Sequence, residues 1–340
     1  MIFVEAKFEQ VEKEWREFYN KASHISPYMS YDFQKVYKNQ LWASKNTFCA
    51  EYKVYKGYEN AQLLVLIPII KVKNAIYIAG DFRATGYLDL LYSDEITDGQ
   101  LEQAIKDFIV FMKKYELYFR KINQSSRLCG ILNRLTNGFS ETIKKGICVN
   151  IPFANDYDEY FSMLSKSTRQ NIRTVHNRLF REGKKMTLET YIGYRVPAKL
   201  NKELVGIYQK RASERSGKAN RIIQFVQEKL NPMTLSLNCS DNSFLSVLRF
   251  DSVIAGYMQG LITQKGDVAV IPRLAINSDF GVYCPGGVLV TETIRWLIGN
   301  SHIRNLDLSR GDEKYKYVYG GKEHYNFDFT ISFNSVQNVL

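Results

Sequence analysis

Cysteine and histidine are scarce in this chain. Its 340 residues include five cysteines, at 49, 129, 148, 239 and 284, and four histidines. The cysteine count is odd and no two form a C-x-x-C pair, so neither a disulfide framework nor a zinc site is predicted. The histidines show no H-x-H or H-E-x-x-H spacing. No metal is expected. Long apolar runs are missing as well: the longest aliphatic stretch, Leu63–Ile70, is eight residues and contains Pro68. Crossing a bilayer takes about 20. Five glutamates within the first twenty residues contradict the apolar centre of a signal peptide. These absences predict a protein of a reducing compartment, the cytoplasm.

What is present reads as globular. An apolar fraction of 45% and a charged fraction of 24% exclude a disordered or fibrous chain. The length exceeds the roughly 250–300 residues at which one core stops growing, so two domains are expected. Lysine and arginine number 46 against 35 aspartates and glutamates, a net charge of +11. Such a surface suits polyanions: phosphates, nucleotides or RNA.

Apolar spacing predicts a helix over Lys7–Ala22 and another opening at Ser30, a suitable N-cap. Strand-like runs follow at Thr47–Tyr55, Ala61–Ile70, Ala75–Ala79 and Tyr87–Tyr92. A helix from about Asp98, its expected cap, to Tyr115 precedes strands at Tyr118–Ile122 and Ile147–Phe153. The second half repeats this order. A strand at Met186–Ile192 leads to helices at Pro197–Glu214 and Asn220–Leu230, then strands at Phe244–Phe250, Val253–Thr263 and Val268–Ile276. A helix from about Gly287 to Ile298, a strand at Asn305–Leu308, a short helix from Asp312 and a closing strand at Asn326–Phe333 complete it. The shared order suggests a duplication.

Between the halves, Lys166–Lys185 carries Lys166, Arg169, Arg173, Arg178, Arg181, Lys184 and Lys185 against Glu182 alone. Two readings stand: a solvated linker helix, or a face whose arginine forks match phosphate oxygens of a cofactor or polymer.

The stretch NLDLSRGDEKYKYVYGG, Asn305–Gly321, is the most specific signal. It resembles the aspartate–hydrophobic–x–Arg-Gly-Asp/Glu and Tyr-Lys pattern of a branch of the GNAT acyltransferases. That branch comprises CelD-like or BioF-like acetyltransferases and is related to Fem-type aminoacyl transferases. LSKSTRQNIRTVHNRLFREG, Leu164–Gly183, is similar to the branch's basic helix, and CPGGVLVTETIRWLIG, Cys284–Gly299, to its Ser-Pro-Gly helix start. GDFRATGYLDLLY, Gly80–Tyr92, is a weaker match. The resemblance implies an α/β (α+β) fold of tandem GNAT-like domains, each a mixed, mostly antiparallel sheet flanked by helices. A degenerate domain is expected over 1–150 and an acyltransferase domain over 151–340, with a basic linker helix at 165–183. It also implies acetyl-CoA or another acyl-CoA as co-substrate, held at Cys284, Gly286, Gly287 and Val288. One departure stands out. The loop NSDFGVYCPGG has no Arg or Gln where the family's Arg/Gln-x-x-Gly-x-Gly/Ala loop places one, and Cys284 stands for its serine.

GNAT-type transfer is direct attack of an amine on a thioester. A backbone N–H of strand Val268–Ile276 is the simplest oxyanion donor. Tyr315 is the candidate acid for the leaving thiolate, or else a core tyrosine, one of 23. Asp312 and Asp307 could take the acceptor's proton, or serve as a helix cap and a strand-end turn. Arg310 and Lys316 could hold an acceptor phosphate or carboxylate, or form surface ion pairs. Arg273, charged within an apolar strand, needs a partner and could face the cleft. Arg169 represents the basic helix among the substrate contacts. A nucleophilic role for Cys284 lacks an adjacent histidine. The expected acceptor is a small-molecule or glycan-precursor amine, such as an amino sugar of envelope polysaccharide assembly. Charged tRNA becomes the donor if the chain works as a Fem-type transferase. A third reading is a non-catalytic binding module. No feature of the sequence sets the oligomeric state.

Overall fold

The computed structural model describes residues 1–22, 26–43, 46–82, 85–136, 143–193, 196–215 and 240–332. The expected helix Asn220–Leu230 lies outside them. The chain forms two compact units: Met1–Ile147 with the residues from His324 on, and Cys148–Glu323. The division falls three residues before the expected boundary. The closing strand joins the first unit, where 151–340 had been assigned to the second.

The first unit contains β1 (Ile2–Ala6), α1 (Glu12–Lys21), α2 (Tyr31–Asn39), β2 (Glu51–Glu59), β3 (Gln62–Val72), β4 (Ala75–Ile78) and β5 (Leu91–Tyr92). It continues with α3 (Asp98–Phe111), β6 (Glu116–Asn123) and α4 (Arg127–Thr136). The second runs through β7 (Ile143–Pro152), α5 (Tyr157–Met163), α6 (Lys166–Arg181), β8 (Met186–Ile192), α7 (Ala198–Arg215), β9 (Ser243–Phe250), β10 (Val253–Ile262) and β11 (Val268–Ile276). Then come α8 (Pro285–Asn300), β12 (Asn305–Arg310) and α9 (Lys314–Val318), and the chain returns to the first unit as β13 (Lys322–Ile331).

Helix starts follow from local chemistry. The Ser30 hydroxyl accepts from the Phe33 N–H at 3.4 Å, the cap expected for α2. For α3 the cap is Thr97, one residue before the expected Asp98. Thr97 accepts from the Gln100 N–H at 3.2 Å while the Gln100 side chain accepts from the Thr97 N–H at 3.1 Å. A reciprocal pair outcompetes a lone aspartate. Leu101, Ala104, Ile105, Phe108 and Ile109 then form the buried stripe of α3.

The sheets repeat one plan. In the first unit the strand order is β1-β2-β3-β4-β6-β13, and in the second β8-β9-β10-β11-β12-β7. Each is antiparallel except for one parallel pair, β4 with β6 and β11 with β12. A helix crosses over within each parallel pair, α3 in one and α8 in the other. Each unit takes its last strand from the other half of the sequence, since β13 pairs with β6 and β7 with β12. This is the tandem GNAT-like fold. In the second unit, Phe244, Leu248 and Phe250 pack under α6 and α8, while Leu245 and Val247 pack with Leu200 and Leu204 of α7. Both faces of β9 are therefore buried.

A buried carboxyl marks the start of α4. Asp89 accepts from the Leu90 N–H and the Ser126 hydroxyl, both at 2.8 Å. Burial pushes its pKa up to about 7, from an ordinary 3.8. Its protonated form is therefore the one that folding favours. The stability this contributes is full below about pH 4 and is lost as pH rises to about 7. Asp89→Asn should melt above wild type at pH 8, with the gain shrinking towards zero near pH 4. Thermal melts across that range check it; a pH-independent difference would refute it.

Candidate active site

The second unit is organised around two strands that part. β11 and β12 pair only from Val268–Val270 against Asn305–Asp307. Beyond that point β11 runs on to Ile276 and β12 to Arg310. The register of β10 against β11 shifts between Gln259 and Leu261. At that shift a Cβ on Gly260 would overlap the carbonyl oxygen of Val270, so only glycine admits the approach. Pro272, which has no N–H, sits in the parted stretch of β11.

The parted end of β12 is held by buried charge. Asp307 accepts from the Ser309 N–H at 2.7 Å, and Ser309 takes the left-handed conformation with φ 55°. Lys316 is only 2% exposed. Its ammonium donates to the carbonyls of Ser309, Arg310 and Gly311 at 3.3, 2.8 and 2.9 Å and pairs with Glu313 at 2.9 Å. It works as a clamp on the turn.

A pocket of about 260 Å³ opens beside the start of α8. One wall is α6, with Thr168, Asn171, Val175 and Arg178; the others are Val282, Cys284, Gly287, Val288, Val318 and Tyr319. Arg178 also donates to the Val282 carbonyl at 2.6 Å, which steadies the loop before α8. Cys284 caps α8 in a left-handed conformation, φ 44°. Its carbonyl accepts from the N–H groups of Gly287 and Val288, at 3.0 and 3.2 Å. Pro285 has no N–H, and the Gly286 N–H has no acceptor among the described residues. A Cβ on Gly287 would overlap the Tyr319 hydroxyl. The Tyr319 backbone is anchored by the Tyr160 hydroxyl, which donates to its carbonyl at 2.9 Å. Burial, with Cys284 adding, raises the Tyr319 pKa, so its hydroxyl stays protonated near neutral pH.

The structure brings some expected residues together and disperses others. Cys284, Gly287 and Val288 line the pocket, and Gly286 lies in the same turn. Tyr315, 40% exposed on α9, does not line it. Arg310 and Asp312 are exposed at the turn before α9. The cap of α9 is Glu313, so Asp312 is not a helix cap. Asp307 and Lys316 are buried: Asp307 holds the turn at the end of β12, and Lys316 is not part of a surface ion pair. Arg273 is buried and stacks its guanidinium 3.9 Å from the centre of the Tyr208 ring on α7. Arg169 donates to the carbonyls of Ser162 and Leu164, the latter at 3.0 Å, at the end of α5. Arg178 and Tyr319 were not singled out from sequence as contacts. Both stood inside the two quoted motifs.

The corresponding gap in the first unit is filled. β4 and β6 also pair over three residues, Ala75–Tyr77 against Glu116–Tyr118. There Leu88 bridges to Ile122 and donates its N–H to the Lys121 carbonyl at 3.0 Å.

Lys316→Met should leave those three carbonyls without their cation and cost about 3 kcal/mol, the usual scale for breaking a buried charged contact. Denaturant unfolding of the variant checks this, and a loss under about 0.5 kcal/mol would show the clamp to be idle.

Residues 166–317 match the family model described as an acetyltransferase (GNAT) domain. A comparison with curated protein sequences found no match. Among solved structures, the C-terminal domain (DUF2156) of an Agrobacterium fabrum protein designated a lysylphosphatidylglycerol synthetase is similar at 10% identity. It covers 98% of this chain and 96% of that one, with a TM-score of 0.59. FemX is similar at 10% identity over 99% of both chains, with a TM-score of 0.57. L-PGS from Bacillus licheniformis is 12% identical over 83% of this chain and 84% of that one, with a TM-score of 0.51. At such identities the likeness is one of fold. Among the described residues, no helix is long and apolar enough to cross a membrane.

Proposed function

Residues 166–317 match the GNAT domain model, and from that premise we propose that the second unit is an N-acyltransferase of the GNAT superfamily. The donor is an acyl-CoA, acetyl-CoA first among them, and the acceptor is a primary amine. The observation that carries this reading is the parted β11–β12 pair in the same unit as a glycine-walled pocket at the start of α8. Gly287 lets the Tyr319 hydroxyl sit against the start of α8, where a Cβ would overlap it, and so brings a donor to the place a phosphate would take.

A thioester donor supplies an activated acyl carbonyl. The chain's own groups then have separate tasks. The Gly286 N–H and the positive end of α8 attract the pyrophosphate, and Arg178 adds charge from the facing helix. The Tyr319 hydroxyl, protonated and beside Gly287, offers a further donor there. Backbone N–H groups of β11 beyond Val270 stabilise the oxyanion, a contribution of roughly 10²–10³ in rate. Tyr315 returns a proton to the leaving thiolate. Asp312 accepts the acceptor's proton, directly or through water, and Arg310 steadies an anionic group on that acceptor. Asp307 supports them by fixing the Ser309 turn. An amino sugar is the acceptor to try first.

One observation favours a second reading, transfer from aminoacyl-tRNA. The Gly287 and Val288 amides are already engaged by Cys284, and the loop has no Arg or Gln to replace them. Calorimetry with acetyl-CoA and with charged tRNA separates the two. Saturable binding of acetyl-CoA alone supports the first; binding of charged tRNA alone overturns it.

Two variants test the assignment of residues. Gly287→Val should raise the CoA dissociation constant at least about tenfold, roughly 1.4 kcal/mol, and unchanged affinity would remove the pyrophosphate from α8. Tyr315→Phe should lower kcat by roughly 10²–10⁴ with donor affinity intact. Tyr317→Phe is the control, because that hydroxyl donates to Glu323 at 2.8 Å. A Tyr315→Phe enzyme within about threefold of wild type would strip the residue of its acid role.

A further inference from the structure

The outward face of α6 combines charge of one sign with apolar side chains left in water. Its inward face is settled: Thr168, Ile172, Val175 and Leu179 are buried. Lys166, Arg169, Arg173 and Phe180 stand three, four and seven residues apart and share the other side. Phe180 is 86% exposed there. Met163, at the end of α5, is 68% exposed. It belongs to the same face, because Arg169 donates to the carbonyls of Ser162 and Leu164 on either side of it. Arg173 continues the face, its guanidinium 5.4 Å from the centre of the Phe161 ring. From Lys166 to Phe180 the helix runs about 21 Å.

Opposing charge is sparse on this face. Asp251 is paired with Lys184 at 3.3 Å, and Glu182 accepts from the Tyr283 hydroxyl. Glu159, one turn before Met163 on α5, accepts from the Asn155 N–H at 3.1 Å, and Asp158 stands beside it in the first turn. Two exposed apolar side chains thus bracket three cations.

We propose that this face rests on the surface of an anionic lipid bilayer. Phe180 and Met163 enter the boundary of the acyl chains, while Lys166, Arg169 and Arg173 lie at the level of the lipid phosphates. Cations alone would serve a nucleic acid backbone, and bases stack on flat rings. Met163 offers no such ring. Apolar burial and attraction to anionic headgroups add at a lipid interface, and both ingredients are present here. The helix lies flat, because its other side belongs to the core. The inference stands apart from the identity of the acyl donor.

Co-sedimentation of the full chain with vesicles tests it. Binding to phosphatidylcholine vesicles holding about one-third phosphatidylglycerol should exceed binding to pure phosphatidylcholine by at least about tenfold, and should weaken with salt. Phe180→Ser combined with Met163→Ser should lower partitioning about tenfold with the melting temperature unchanged. Arg173→Ser should flatten the salt dependence. Undiminished binding of the double variant, or equal binding to both vesicle types, overturns the proposal. So does failure to bind anionic vesicles at low salt, with or without tight binding to a single-stranded RNA.

Discussion

Everything proposed for the second unit depends on two parallel strands that pair for three residues and then separate. A parallel pair needs a crossover, and α8 provides it. Because β11 continues six residues past Val270 before the chain turns, the crossover begins about 20 Å beyond the last paired residue. The positive end of α8 is thereby set at the wide end of the gap. The separation is built into the backbone: Gly260 lets β10 crowd Val270, and Pro272 withholds a hydrogen-bond donor just beyond. A continuous ladder would leave no room between the strands for a ligand.

Buried charge keeps the gap open on the β12 side. Ser309 and Gly311 have φ of 55° and 106°, which turns successive carbonyls towards one point instead of alternately across a sheet. Three carbonyls so gathered need a donor. Lys316 meets that need with one ammonium. Half of the charged residues in the RGDEKYK run and its flank are therefore structural, and the exposed Arg310, Asp312 and Tyr315 are presented by them. Holding a ligand-facing group still requires a second group that faces inward.

Periodicity made the helices legible, as in α3, and the order of elements disclosed the duplication. Strand exchange was not legible. β7 and β13 carry the same alternation whichever neighbour they join, because pairing partners are set by tertiary contacts and leave no mark on local composition. Nor is α4 legible: its ten residues include Gly130 and Asn133, which lower helix propensity, and its apolar face is satisfied only once packed. For the candidate site, the glycine-rich start of α8 was readable because a helix entry has a fixed chemistry. The depths of Lys316 and Asp307 were not, since a charged residue looks alike in sequence whether it meets solvent or three carbonyls.

The two units differ where their plans are otherwise the same, and the difference lies in loop length. Both parallel pairs part after three residues. In the first unit 19 residues, 79–97, separate β4 from α3. That length lets the chain turn back at Gly80, φ 111°, and lay Leu88 beside β6. In the second unit only eight residues, 277–284, join β11 to α8. Most of them are taken up by a tight 3₁₀ turn, Ser278–Tyr283. So short a connection cannot reach back to β12. One gap is therefore closed by its own chain, whereas the chain that leaves β11 passes directly into α8.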